Sequence, residues 1–359
     1  MNTSQKILRC FLALCCMQFV SMLALAQSEN KPSKNSSTKS IEFATKDNYY
    51  SWDYTADGTY GTESNPFIID SEEQLMNLVY NVNYKGKTYK GLHFKLTTDI
   101  VINEKVLNEN YNGENQDREG LNSLTKWYPI GRYGTIVDDY FGGCFDGDGH
   151  TISGLVLDKG YEPSGDTDAM KYVGLFGKIK NATIKNLTLR DCYMKNTYVY
   201  HSQATHYGAL VGYAAGTCTI ENCHIEQSYF ETNSNVRLGG LVGYLEGGTI
   251  TGCTFNANVR DKFGLEHFAP TGDEDENLHF GTIVGEVESG LVENCRSEGS
   301  FSCYAIVNPG SYIMDKGGIC GLNKGTIKGC TSNMTFNLFK EYTGGQASKM
   351  TTSYSTIRV

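Results

Sequence analysis

The sequence contains no H-E-x-x-H pair, no G-x-x-x-x-G-K-[ST] loop and no serine-elbow pattern. Zinc peptidases need two histidines on one helical face, and phosphate binding needs a glycine loop ending in lysine, so both chemistries lack their carriers. C-x-x-C is missing, and no histidine–cysteine cluster has zinc spacing, so no metal and no cofactor is expected. After residue 26 no apolar run approaches the ~18 residues of a membrane span. Positive charge is in deficit, with a formal net charge of −9, which argues against nucleic acid as a partner.

What is present begins with Lys6 and Arg9, followed by an apolar run from Cys10 to Ala26 that ends Ala24-Leu25-Ala26. A basic start, an apolar stretch and a small-x-small close predict a signal peptide over 1–26, cleaved after Ala26, and an exported cell-surface or secreted protein. Lipidation at Cys15 or Cys16 is disfavoured, because Leu14 stands where a small residue is expected. The mature chain keeps 29 basic and 40 acidic residues, a formal charge of −11. Residues 27–48 are rich in serine, asparagine and lysine and read as a disordered linker.

From Val173 to Cys330 one pattern recurs five times. A first box reads GLFG, ALVG, GLVG, TIVG and GICG, closing on Gly177, Gly212, Gly243, Gly285 and Gly321. A second box reads TIKNL, TIENC, TITGC, LVENC and TIKGC, closing on Leu187, Cys223, Cys253, Cys295 and Cys330. The two closing residues lie 9 to 11 positions apart in every copy, whereas equivalent residues of successive copies lie 30 to 42 residues apart. A constant core with variable spacing is one structural unit stacked on itself, with loops of different length between units. The boxes are too short for helices and rich in β-branched and aliphatic residues, so they predict short strands that pair in parallel between coils. The expected fold is all-β, a right-handed parallel β-helix over 150–335, with the coil HTISGL at His150–Leu155 preceding the first full repeat.

The residue before each closing position is Gly154, Asn186, Asn222, Gly252, Asn294 or Gly329. Glycine and asparagine adopt positive φ most cheaply, so a left-handed bend is expected there. Leucine and cysteine alternate in the closing column, which predicts an apolar role for Cys223, Cys253, Cys295 and Cys330 as buried thiols. Two disulfides stay open as alternatives, Cys218 with Cys223 and Cys303 with Cys320.

Residues 49–149 do not repeat and are expected to supply the first solenoid strands and a small α+β cap over the open N-terminal end. Their signals are strands at NPFIID (65–70) and FKLTTDIVI (94–102), and a capping box at Ser71 to Gln74 opening a helix with Leu75, Leu78, Val79 and Val82 on one face. Residues 336–359 form a C-terminal tail with no evident cap.

With these boxes in view, the chain resembles the GLUG-motif proteins, a group of repeat-bearing exported bacterial proteins. NPFIID, FKLTTDI, WYPIG (127–131) and FGGCFDGDGHTISGL (141–155) are similar to the segment preceding such repeats in surface proteins of Bacteroidetes and in non-catalytic parts of some secreted peptidases. The resemblance spans about residues 49–335 and implies surface exposure and adhesion, with no known reaction. It departs at Thr282, where the box lacks its first glycine, and no anchoring domain follows the repeats.

Three groups carry possible chemistry. Asp146, Asp148 and His150 in FDGDGH are the acid–base candidates of an alternative reading, a polysaccharide lyase or hydrolase on a β-helix, although glycines around both aspartates describe a turn. His201 with His206, and the acidic run Asp273 to Glu276, lack metal-ligand spacing. Tyr193, Tyr198, Tyr200, Tyr207 and Tyr229 cluster between the first three copies and suit stacking on sugars or protein contacts, or packing of loops on the scaffold. The reading drawn is a non-catalytic, adhesin-like binding module for an extracellular glycan or protein, with a structural part in a larger surface assembly as a further alternative.

Overall fold

The aliphatic boxes form strands because each apolar residue finds its counterpart one coil away. The computed structural model describes residues 60–107, 121, 123–131, 139–159, 171–196, 205–232, 236–261, 278–305, 314–340, 348–352 and 357–358. All belong to one compact unit spanning Lys39–Val359. The signal-peptide and linker segments, Tyr198, Tyr200, His201 and Asp273–Glu276 lie outside the described residues.

The fold is an all-β solenoid whose inter-coil pairings are parallel. Each full repeat supplies four strand segments, the last of them split into Thr188–Arg190 and Tyr193–Asn196 in the first copy, not the two or three that the boxes alone suggest. In the second copy these are Thr205–Gly208, Val211–Ala215, Cys218–Glu221 and His224–Thr232. Their equivalents stack into sheets of five, five, eight and eleven strands. The segments missed by the boxes are the one before the first box and the long one after the second. In both, the inward side chains still alternate, but their identity changes from coil to coil, as in Val173, Tyr207, Leu238 and Phe280, all buried.

Both apolar residues of the first box are interior in the first four copies. Leu175, Leu210, Leu241 and Ile283 are buried, as are Phe176, Val211, Val242 and Val284. The glycine closing each box serves a purpose other than the turn. At Gly243 a Cβ would lie 2.5 Å from the Tyr207 backbone nitrogen and 2.6 Å from the Gly212 carbonyl oxygen. The strand after the box runs so close to the strand before it that no side chain fits, and the column stays glycine for space.

The bend before the closing column is left-handed in all five full copies, where Asn186, Asn222, Gly252, Asn294 and Gly329 have φ between 50° and 63°. HTISGL does not belong to this series: its strand Thr151–Ser153 pairs with Thr188–Arg190, so Gly154 stands in register with Asp191, and the counterpart of Thr183–Lys185 in that earlier coil is Cys144–Asp146. The asparagines also bond along the solenoid axis: Asn222 Nδ2 donates to Asn186 Oδ1 at 3.0 Å, and Asn186 Nδ2 to Asp146 Oδ1 at 3.0 Å. The closing column is interior throughout, with Leu187, Cys223, Cys253, Cys295 and Cys330 no more than 1% exposed, while Leu155, also buried, belongs to the column of Cys192. The four cysteines carry free thiols, as do Cys144, Cys192, Cys218 and Cys320, so Cys218 and Cys223 are unpaired; the Cys303 side chain lies outside the described residues. The Cys223 N–H donates to Cys253 Sγ at 3.5 Å and the Cys295 N–H to Cys330 Sγ at 3.4 Å. Thiol contact with Cys253, together with burial, pushes Cys295 up to about 12, and burial raises Cys253 well above the ordinary thiol range.

At the N-terminal end the helix Glu72–Lys85 buries Leu75, Leu78, Val79 and Val82 in the common core. Ser71 caps it by accepting from the Gln74 N–H, while the Gln74 side-chain Oε1 accepts from the Asp70 N–H, one residue short of a reciprocal box. The strands Phe67–Ile69 and His93–Leu96 are the first two members of the eight-stranded sheet, so they are solenoid rungs as well as cap. At the far end the last long strand runs Thr331–Lys340, and Ser348–Thr352 and Ile357–Arg358 pair with it antiparallel.

Gly243→Ala is expected to destabilise the fold by about 1–3 kcal/mol in urea denaturation, because both clashing atoms are backbone. Asn222→Ala should cost about 1–3 kcal/mol through its positive φ, and Asn222→Gly should recover most of that loss. Iodoacetamide at pH 8 should leave Cys253 and Cys295 unlabelled in the folded protein and label them after unfolding, since only thiolate reacts.

Candidate functional site

The acidic turn is absorbed by the scaffold. Asp146 ends the strand Cys144–Asp146, and its Oδ1 accepts both the Asp148 N–H at 2.9 Å and Asn186 Nδ2 at 3.0 Å. Lys185 Nζ lies 3.3 Å from Asp146 Oδ2. Burial alone would raise the Asp146 pKa, but those hydrogen bonds and the Lys185 charge outweigh it and hold the carboxyl below its ordinary value. A general acid needs the opposite shift. Asp148 occupies the turn at φ 50° and pairs with Lys95 at 2.9 Å. His150 Nδ1 lies 3.2 Å from Asp99 Oδ1, which also accepts the Thr151 N–H.

Three of the five tyrosines are described, and all three stand on strands, not loops. Tyr207 points into the core, edge-on to Phe230. Tyr193 and Tyr229 stack on each other with ring centroids 5.8 Å apart, on the outer side of the eleven-stranded sheet but only 4% and 3% exposed. Val106, Leu121 and Val156 complete a small satellite core around them. Beside this cluster Lys195 and Glu231 form a buried pair at 2.9 Å, and Glu231 Oε2 accepts a hydrogen bond from the Tyr229 hydroxyl.

A second group escaped sequence inspection. Tyr172 and His206 on the strands before the first box, with Tyr213 and Tyr244 on the strands after it, form one aromatic file. The His206 ring lies 5.3 Å from Tyr172, 5.3 Å from Tyr213 and 5.1 Å from Tyr244. Arg237 sits over Tyr244 and is hydrogen-bonded to Glu286, which Lys324 also reaches at 3.2 Å. Burial, with the charges of Arg237 and Lys171, pushes His206 down to about 3, so its ring is neutral at physiological pH. The signal available in the sequence was position: Tyr213 and Tyr244 each follow the closing glycine of their box.

The open feature is a cleft of about 690 Å³ on the outer face of the eleven-stranded sheet. It forms where the geometry of successive coils changes. The first coils bend in the left-handed region at Gly154 and Asp191, the next carries a bulge at Gln227 with φ 44°, and Thr254–Asp261 then runs straight through. Arg190, Gln227, Asn256 and Asn258 line its floor, and Val101, Asn103, Glu104, Lys105 and Leu107 contribute a wall. That wall is pinned by Asp191, whose two carboxylate oxygens accept the Val106 N–H at 2.9 Å and the Leu107 N–H at 2.8 Å. Burial raises the Asp191 pKa against the pull of these two bonds. Arg190 is paired with Glu226 at 2.7 Å. Among the described residues no group of three or more histidine, cysteine, aspartate or glutamate side chains is arranged to hold a metal ion.

Fold and surface together define a parallel β-solenoid repeat protein with an aromatic file and a polar cleft on its outer faces. Residues 234–260, the third first-box strand and its flanks, match the GLUG motif family. The chain is similar to halomucin of Haloquadratum walsbyi, 29% identical over 146 residues, a match covering 37% of this chain and 1% of that protein. No solved structure matches the chain. No helix among the described residues is long and apolar enough to cross a membrane.

Because Asp146 is held below its unfolded pKa, its contribution to stability is full above the ordinary carboxylate value and disappears as pH falls through its lower folded value. Thermal melts from pH 6 to pH 2 should show a loss of stability whose acid limb is shallower in Asp146→Asn. The same variant should melt lower than the native protein at pH 7, since Lys185 then loses its counter-charge.

Proposed function

We propose that the chain is an exported, non-catalytic binding module of a cell surface or secreted protein, adhesin-like in holding recognition groups rigidly on a solenoid. The observation that carries this reading is the open polar cleft, whose floor belongs to rigid coils and whose exposed amides serve no packing role. The turn at Asp146 supports it from the other side, since the acids that an enzyme would use are engaged in the asparagine file and in ion pairs. The GLUG match and the likeness to halomucin support an extracellular repeat protein. The partner class is a glycan or a protein of the extracellular surroundings, recognised by side chains and by the loops between the copies.

The test is binding of the purified chain to glycan arrays and to extracellular matrix proteins, alongside turnover assays on a polysaccharide panel. Retention on one of these ligand classes with no turnover is the expected outcome. Asp146→Asn and Asp148→Asn should leave binding within about twofold of the native protein. Polysaccharide cleavage that disappears in both variants would replace this reading with the β-helix enzyme.

A further inference from the structure

We propose that the cleft on the eleven-stranded sheet is a binding site for a short neutral oligosaccharide. This assignment rests on the binding-module reading and gives it a ligand class and a location.

The first ground is the kind of hydrogen bonding on offer. Every floor strand is already paired in parallel with the coil on either side, from Glu226 and Asn256 to Glu298. An incoming peptide therefore finds no free backbone edge to extend, and recognition falls to side chains. Those present are planar and multivalent. The amides of Gln227 and Asn256 are exposed and make no hydrogen bond among the described residues, while Asn258 uses its Oδ1 to accept from Ser300 and keeps its amide protons for a ligand. Each free amide presents a donor and an acceptor in one plane, the arrangement that adjacent sugar hydroxyls complement.

Charge decides which sugars. Arg190 is neutralised by Glu226, and the other ionic side chains lining the cleft are Glu104, Lys105 and Asp191. The lining thus holds two cations and two anions, with Glu226 as a further anion beside it. No positive excess is left to compensate a uronate or sulfate, whose desolvation would go unmatched. Finally, Val101, 50% exposed, and Leu107 also line the cleft and give it apolar surface beside the polar side chains. An amphiphilic ligand with hydroxyls on one edge and C–H groups on a face fits both. A cleft of about 690 Å³ lies within the usual span of small-ligand sites.

The experiment uses the full chain on an array of neutral, uronate-bearing and sulfated oligosaccharides, followed by titration calorimetry with the best neutral ligand. Gln227→Ala and Asn256→Ala are expected to weaken neutral-sugar binding by about tenfold each, with unchanged melting temperature because both side chains are exposed. Neutral-sugar binding that both variants keep intact would overturn the cleft assignment and leave the binding module standing. Retention of anionic glycans alone, or of proteins alone, would do the same. Failure to bind any glycan or protein would remove both readings together.

Discussion

In-register parallel stacking is the constraint on which the rest of the molecule depends. Each residue lies about 4.8 Å from its equivalent in the next coil, so a position is acceptable only if it tolerates its own neighbour in the column. Apolar side chains, asparagine amides and thiols satisfy this by packing or bonding to copies of themselves. Like charges do not, and the outward columns accordingly set Arg190 beside Glu226 and Lys195 beside Glu231. The closing glycines follow from the same rule in its strictest form, where the neighbour is backbone and nothing larger than hydrogen fits.

This constraint also explains what was legible in the sequence. Columns that keep their identity from coil to coil were readable: within the five full copies the two boxes, the asparagine–glycine bend and the cysteine file all correspond to real positions, whereas HTISGL, matched to them on residue type alone, lies one strand further along the coil. Columns that change identity were not. Val173, Tyr207, Leu238 and Phe280 occupy one interior column without a shared residue type, so the strand before the box passed for loop and its tyrosine for surface. The role of Asp146 depended on Asn186, forty positions away, which only the coil spacing brings within reach. The cleft was not legible at all, because it arises from a change in backbone path at Gln227 and not from a repeated residue.

The solenoid interior leaves little room for function. Its thiols are buried and its asparagines are spent on one another. Chemistry that distinguishes this chain from another stack of the same boxes must lie on side chains facing outward, where the columns are free to vary. Two outward surfaces depart from simple alternation. The aromatic file through His206 is bound internally by ring stacking and by the Arg237–Glu286–Lys324 network, so its groups are largely committed. At the cleft, Gln227 and Asn256 are not.

A recognition site gains affinity when its groups are held before the ligand arrives. Beneath the cleft, the inward column of the same strands runs Ile152, Leu189, Ile225 and Phe255, each fully buried. In the next two coils that column becomes Ser297 and Ser332, whose hydroxyls bond to each other, with Ser297 also bonding to the Gly318 carbonyl. Neighbouring coils exchange stability only with one another, so the polar rungs loosen their own end of the stack more than the other. The cleft therefore sits over apolar rungs, near the helix-covered end, with Asp191 fixing its wall. A site placed over the serine rungs would have to order its floor on binding; this one has its floor in place.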